Sequence, residues 1–193
     1  MEIRFLQEEE LVNAAGLSRY VFDNCLKPKM NFPQTISFVE SYLSESNLKA
    51  KVAEEGLLIW GVFESGQLLG VSAMQTDGLI TMLYVLPQCF RRKYGAKLVE
   101  TMRTYANDVL GLSQVTVNAN PAFTSTYFEK QGFERIVPKQ GIPVPFVSMY
   151  ATSESLQFRK KKRVPVWVYL VAAGGCLLLA TLLSCGYLVW YLF

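Results

Sequence analysis

The chain has 193 residues, 51% of them hydrophobic and 18% charged, with a formal net charge of +3. Much of the apolar excess is local: residues 164–193 carry no charge, and 24 of those 30 positions are hydrophobic. That arithmetic excludes a disordered chain, a disulfide-rich miniprotein and a multispanning membrane protein, and leaves one domain followed by an apolar tail.

In chain order, residues 3–6 read as a short strand, and Glu8, Glu9 and Glu10 suit the first turn of a helix. Leu11, Ala14, Ala15, Leu17, Val21 and Phe22 recur at helical spacing behind them. Past Pro28 and Pro33, the residues Ile36, Phe38, Val39, Tyr42 and Leu43 predict a second helix ending near Ser44. Two β-rich runs from Leu57 and Leu68, joined by Ser65 and Gly66, predict a hairpin. Residues 79–86 are apolar almost throughout, which predicts a central strand buried on both faces and ended by Pro87.

A helix starts near Tyr94 and Gly95, carries Leu98, Val99, Met102, Tyr105, Ala106 and Val109 on one face, and stops at Gly111. A strand follows from Gln114, and Asn120 with Pro121 predicts an N-cap and first-turn proline for a helix closing before Gly132. Residues 133–137 and 146–151 are two further strands. A hairpin followed by helical crossovers gives a mixed α/β sheet of the α+β kind, not a doubly wound one. The domain is placed at residues 1–151, a polar then basic linker at 152–163, and a transmembrane helix at 164–193.

As a helix, residues 164–193 would be about 45 Å long, more than the roughly 30 Å hydrocarbon core of a bilayer. Pro165 stands at its entry, and Trp167, Tyr169, Tyr187, Trp190 and Tyr191 lie toward its ends, where aromatic rings favour the headgroup region. All 16 acidic and 14 of the 19 basic residues lie in residues 1–158, and the other five basic residues run from Arg159 to Arg163. A basic run beside a span marks the cytoplasmic side, so a single-pass, tail-anchored chain with its N-terminal domain in the cytoplasm is expected. The acidic start has no long apolar stretch to act as a signal peptide. Nucleic acid is not an expected partner, because the domain itself carries no positive excess. Ala172, Cys176, Ala180 and Ser184 form a small-residue stripe that permits a homodimer. With no histidine and no paired cysteines, neither a zinc site nor a histidine-dependent triad is expected, and Cys25 and Cys89 are expected to stay reduced.

Residues 85–98, VLPQCFRRKYGAKL, join the central strand to a helix through Arg91, Arg92, Lys93 and Gly95. Amides at a helix start, reinforced by cations, can cradle a phosphate or pyrophosphate, although a basic turn is also an ordinary solvated turn. This segment resembles the acyl-CoA-binding motif of the GNAT superfamily of N-acetyltransferases: a strand, a proline, arginine-rich residues and two glycines separated by one residue. Residues 117–133, VNANPAFTSTYFEKQGF, resemble the next strand and helix of the same superfamily, and the likeness covers about residues 1–151.

The resemblance implies a mixed, mostly antiparallel sheet flanked by helices, with acetyl-CoA as co-substrate and no metal. It implies that backbone groups of Leu83, Tyr84 and Val85 hold the pantetheine arm where the central strand splays from residues 115–117. The amides of Arg91, Arg92, Lys93, Tyr94, Gly95 and Ala96 would hold the pyrophosphate, and Asn120 belongs to the same cofactor site. A neutral amine then attacks the thioester in a ternary complex. Lys93 stands where the first glycine is usual, and Phe128 where the usual tyrosine precedes the Gly-Phe pair, while counting forward from Asn120 points to Tyr127. Tyr127 is therefore the candidate general acid for the leaving thiolate, packed aromatic surface being its alternative. Glu64 and Asp77 receive no role. Phe32, Phe38 and Tyr42 fall in the region that caps the acceptor cleft in this family, which suits an apolar substrate and equally a packed helix. The expected activity is N-acetylation of a primary amine at the cytoplasmic membrane face; its rival is a non-catalytic acyl-CoA-binding module signalling to a membrane partner.

Overall fold

A computed structural model describes residues 1–120, 124–136 and 146–153, all within the first of two units, Met1–Ser155. The expected span at 164–193, its small-residue stripe, the basic run and all but the first two residues of the linker lie outside the described residues. Among the described residues no helix is long and apolar enough to cross a membrane.

Strand β1 (Glu2–Phe5) pairs antiparallel with β2 (Leu58–Glu64). Glu8–Glu10 form a separate 3₁₀ turn rather than the first turn of helix α1 (Leu11–Val21). Arg4 fixes that turn through two bonds of 2.7 Å to the Glu10 carboxylate, which with the Gln7 amide holds the Glu10 carboxyl down at about 2. The helix expected to end near Ser44 is α2 (Pro33–Tyr42), and a further helix that was not expected, α3 (Glu45–Glu55), follows it. Ser44 is a start as well as a stop: its hydroxyl accepts the Asn47 N–H at 3.3 Å and caps α3.

The hairpin of β2 and β3 (Gln67–Met74) turns through Ser65 and Gly66, both at positive φ (51° and 78°), the pattern whose twist suits a two-residue connection. Then come β4 (Leu79–Val85), α4 (Tyr94–Asp108), β5 (Gln114–Ala119), α5 (Ser125–Lys130), β6 (Glu134–Arg135) and β7 (Val147–Thr152). The seven strands lie in the order β1-β2-β3-β4-β5-β7-β6, antiparallel throughout except for β4 and β5. This is the mixed, mostly antiparallel sheet expected.

Two apolar clusters cover the sheet. One joins Leu98, Val99, Met102 and Ala106 of α4 to Val62, Val115, Val117 and Met149. The other joins Leu11, Ala14 and Val21 of α1, with Leu48 of α3, to Ile59, Val71 and Met82. Strand β4 departs from the expectation of burial on both faces: Ile80, Met82 and Tyr84 are buried, whereas Leu79, Thr81, Leu83 and Val85 are only partly so. The partly covered positions alternate with the buried ones along the whole strand, so one face of β4 is less covered than the other.

Candidate functional site

Strands β4 and β5 pair at Leu79 with Thr116 and at Ile80 with Val117, and the register ends there. Both strands continue, β4 to Val85 and β5 to Ala119, so they part earlier than Val85. On the other side of β4, the Leu86 N–H donates to the Leu69 carbonyl at 2.9 Å. Antiparallel alternation then turns the backbone groups of Met82 and Tyr84 toward β3 and those of Leu83 and Val85 toward the opening. The expected trio therefore divides. Leu83 and Val85 offer backbone groups to a guest, while the backbone of Tyr84 is committed to Val71 and only its buried side chain reaches the site.

The chain leaves β4 through a 3₁₀ turn at Pro87–Cys89 and enters α4 with Arg91 and Lys93 at φ of 64° and 67°. A left-handed conformation costs an L-residue about 1–2 kcal/mol, which is the physical reason a glycine suits this place. Lys93 adopts the glycine-like conformation with its side chain exposed, so it does not plug the turn. The ladder of α4 opens with the Lys97 N–H donating to the Lys93 carbonyl at 3.0 Å, so the amides of Tyr94, Gly95 and Ala96 lie upstream of it. With the helix dipole and the exposed Arg91, Arg92 and Lys93, these amides form a positive cradle.

Glu64 braces the cradle from the hairpin. It accepts from Arg92 Nη2 at 2.9 Å, and hydrogen bonding from Tyr94 first, then the Arg92 charge, holds its carboxyl below the usual range. The Arg92 guanidinium also lies 5.2 Å from the centre of the buried Tyr94 ring. Sequence reasoning passed over Glu64 because 28 positions separate it from Arg92, and no local pattern links a hairpin carboxylate to that loop. Asp77, by contrast, accepts the Leu79 N–H at 2.9 Å within its own turn.

Helix α5 brings Tyr127 to the cradle. A Cβ built on Gly95 would lie 2.7 Å from the Tyr127 hydroxyl oxygen. That oxygen is buried without a hydrogen-bond partner, and burial pushes the phenol up to about 12. Phe128 turns the other way and lines the cavity described below. Asn120 is not the N-cap of α5, which begins at Ser125. Its carbonyl instead accepts the N–H groups of Thr124 and Ser125 at 3.0 Å, and its own N–H donates to Thr124 Oγ1 at 2.6 Å. Asn120 faces the cavity as well, on the opposite side of the opening from Leu83.

The parted strands open onto a cavity of about 640 Å³. Its walls come from β4, from Asn118 and Asn120, from Phe38, Val39 and Tyr42 of α2, and from Asn47 and Lys51 of α3. Of the three aromatics singled out in sequence, Phe38 and Tyr42 line this cavity and Phe32 does not. The hydroxyls of Tyr42 and Thr81 are neighbours in the wall, neither in a well-formed hydrogen bond, and burial raises the Tyr42 phenol above its ordinary value. Lys51 and Asn47 went unrecognised because α3 buries only Leu48 and so has almost no apolar periodicity.

An elongated thioester of a nucleotide fits this arrangement. Two strand positions with outward backbone groups suit an amide-bearing arm, a cradle bare of side chain at Gly95 suits a pyrophosphate, and an unpartnered buried hydroxyl stands beside it. Among the described residues no cluster of three or more His, Cys, Asp or Glu side chains is suited to a metal ion.

Comparison with known proteins agrees with the geometry. The model of the acetyltransferase (GNAT) domain family matches residues 27–151. Among solved structures, a GCN5-related N-acetyltransferase from Rhodopseudomonas palustris superposes with a TM-score of 0.65 at 20% identity, covering 78% of this chain and 94% of its own. The PaiA N-acetyltransferase from Thermoplasma acidophilum, in complex with coenzyme A, gives 0.63 at 16% identity, covering 78% and 98%. A spermidine N-acetyltransferase chimera from Vibrio cholerae gives 0.54 at 14%, covering 80% and 97%. No curated protein sequence matches the chain. The chain belongs to the GNAT acetyltransferase family, and acetyl-CoA is the co-substrate of the N-acetyltransferase it encodes.

Proposed function

We propose that the protein transfers the acetyl group of acetyl-CoA to a primary amine, at the cytoplasmic face of a membrane to which residues 164–193 tether it. The observation that carries the reading is the opening between β4 and β5, which has the cradle of α4 at one end and the 640 Å³ cavity at the other. One ligand can thus be gripped by its pyrophosphate while its thioester meets an amine held in the cavity.

In the proposed reaction Leu83 and Val85 orient the pantetheine arm, and a strand amide stabilises charge on the thioester oxygen as it forms. The neutral amine nitrogen bonds to the acetyl carbon, the carbon–sulfur bond breaks, and the sulfur leaves with the bonding pair. Water gives that sulfur a proton and takes one from the new amide, since the Tyr127 hydroxyl stands against Gly95 at the cradle end and lines no part of the described cavity. Burial that raises the Tyr127 phenol to about 12 makes it a weaker proton donor than an ordinary tyrosine, so its place is in the wall of the cradle. The tether rests on the uncharged apolar run at 164–193 and the basic residues before it. Confinement to a thin layer raises the effective concentration toward membrane-borne acceptors.

Release of free coenzyme A on mixing acetyl-CoA with a panel of amines tests the chemistry. Acetyl-CoA binding with no release across the panel would support the non-catalytic rival. Flotation of the full chain with vesicles, against a chain ending at Ser155, tests the tether: loss of flotation on truncation is expected, and equal behaviour of the two would contradict it.

A further inference from the structure

The cavity wall bears on which amine is accepted, an inference that rests on the acetyltransferase reading above. We propose that the acceptor is a monoamine carried on an uncharged, largely apolar body, and that the site rejects polycationic amines.

The first ground is the wall itself. Phe22, Leu26, Met30, Phe38, Val39 and Phe128 supply much of it, and among the described lining residues there is no aspartate or glutamate. Two carboxylates near the wall do not line it and are ion-paired. Glu40 of α2 accepts from Lys27 at 2.6 Å and from Arg19 at 3.0 Å. Asp23, just after α1, accepts from Arg19 at 2.8 Å through Oδ2, while its buried Oδ1 lies 3.9 Å from the Lys27 ammonium without a hydrogen bond.

The second ground is the charge that is present. Lys51 is the charged residue of the described wall, its ammonium 5.3 Å from the centre of the Tyr42 ring. Hydrogen bonding to Glu55, at 2.8 and 2.9 Å, raises its pKa and keeps it cationic. Glu55 itself does not line the cavity. A second ammonium on the acceptor would enter a partly desolvated space where the one cation of the described wall, Lys51, already holds its carboxylate partner outside that wall and no lining carboxylate offsets the cost of desolvation. The neutral hydroxyls of Tyr42 and Thr81, buried and without well-formed bonds, can accept from the N–H of a single uncharged amine. This wall is the opposite of what a polyamine needs, which is several carboxylates spaced along its length.

The test compares coenzyme A release by the full chain with 2-phenylethylamine and hexylamine against spermidine and putrescine. We expect kcat/KM for the monoamines to exceed that for the polyamines at least tenfold. Lys51→Gln, which removes the ammonium and frees the Glu55 carboxylate, should narrow that ratio at least threefold. Asn118→Asp, which places a carboxylate in the wall, should narrow it independently should the first variant fold poorly. Spermidine used as well as the monoamines would overturn the inference while leaving the acetyltransferase reading intact, as would a ratio that neither variant changes. Binding of acetyl-CoA without turnover of any amine would overturn the reading and the inference with it.

Discussion

The Tyr127 hydroxyl oxygen lies 2.7 Å from the point where a Cβ on Gly95 would stand, closer than a carbon can approach it without displacement. One residue on α5 therefore depends on the absence of a side chain on α4. Gly95→Ala should displace Tyr127 and weaken acetyl-CoA binding at least tenfold. Combining it with Tyr127→Phe, which removes the offending oxygen, should restore part of the loss. Calorimetry on the four proteins of the cycle measures this; strictly additive effects would contradict the contact.

Tyr127→Phe alone tests the proton. From its place at Gly95 the phenol should affect acetyl-CoA binding, with kcat changed less than threefold; a fall in kcat of about 10–100-fold would instead mean that it serves the leaving sulfur. Burial raises the phenol to about 12, so its proton stays in place below that pH. The rate should then climb with pH as the acceptor amine loses its proton, without a downturn from Tyr127 before about pH 12. An unchanged kcat removes Tyr127 from the chemistry, and a rise in KM alone makes it a binding group.

Glu64 neutralises Arg92 beside the cradle while bonding Tyr94. Glu64→Gln should leave the cradle more positive and tighten acetyl-CoA binding about two- to fivefold at low salt. The gain should shrink as added salt screens the exposed charges. Weaker binding at every salt concentration would mean that bracing outweighs charge.

Lys93→Gly should raise unfolding stability by about 0.5–1 kcal/mol, because it relieves a left-handed residue at some cost in unfolded-chain entropy. Lys93→Ala should give no such gain, since alanine is strained in the same way. Urea titration separates the two.

Arg103 is 3% exposed and donates to the carbonyls of Gln131 at 3.0 Å and Thr152 at 2.8 Å, tying α4 to the ends of α5 and β7. Arg103→Leu leaves those carbonyls without this donor and should cost about 2–4 kcal/mol in urea titration. A loss below about 0.5 kcal/mol would mean that water replaces the guanidinium fully.

The order of strands and helices was legible wherever apolar periodicity was strong, as in α4, or a turn had marked chemistry, as at Ser65 and Gly66. Helix α3 was hidden because its one buried side chain, Leu48, generates no period. The cradle residues 91–96 were legible from their own chain because they are contiguous. Glu64, which acts on them, and Lys51 of the cavity wall come from distant elements and are visible only once the sheet is formed. Strand β4 misled for a related reason: its composition is that of a strand covered on both sides, but one of its faces is only partly covered and past Ile80 it has no paired residue in β5. The slip between Tyr127 and Phe128 was undecidable by counting. In the fold Tyr127 lies against Gly95 and Phe128 lines the cavity.

Amide hydrogen exchange of the full chain, with and without coenzyme A, tests the central claim most directly. Added coenzyme A should slow exchange at Leu83 and Val85 and at Tyr94, Gly95 and Ala96, with little change along β1 and β2. Binding that leaves these amides unprotected, or no binding at millimolar coenzyme A, would contradict the account.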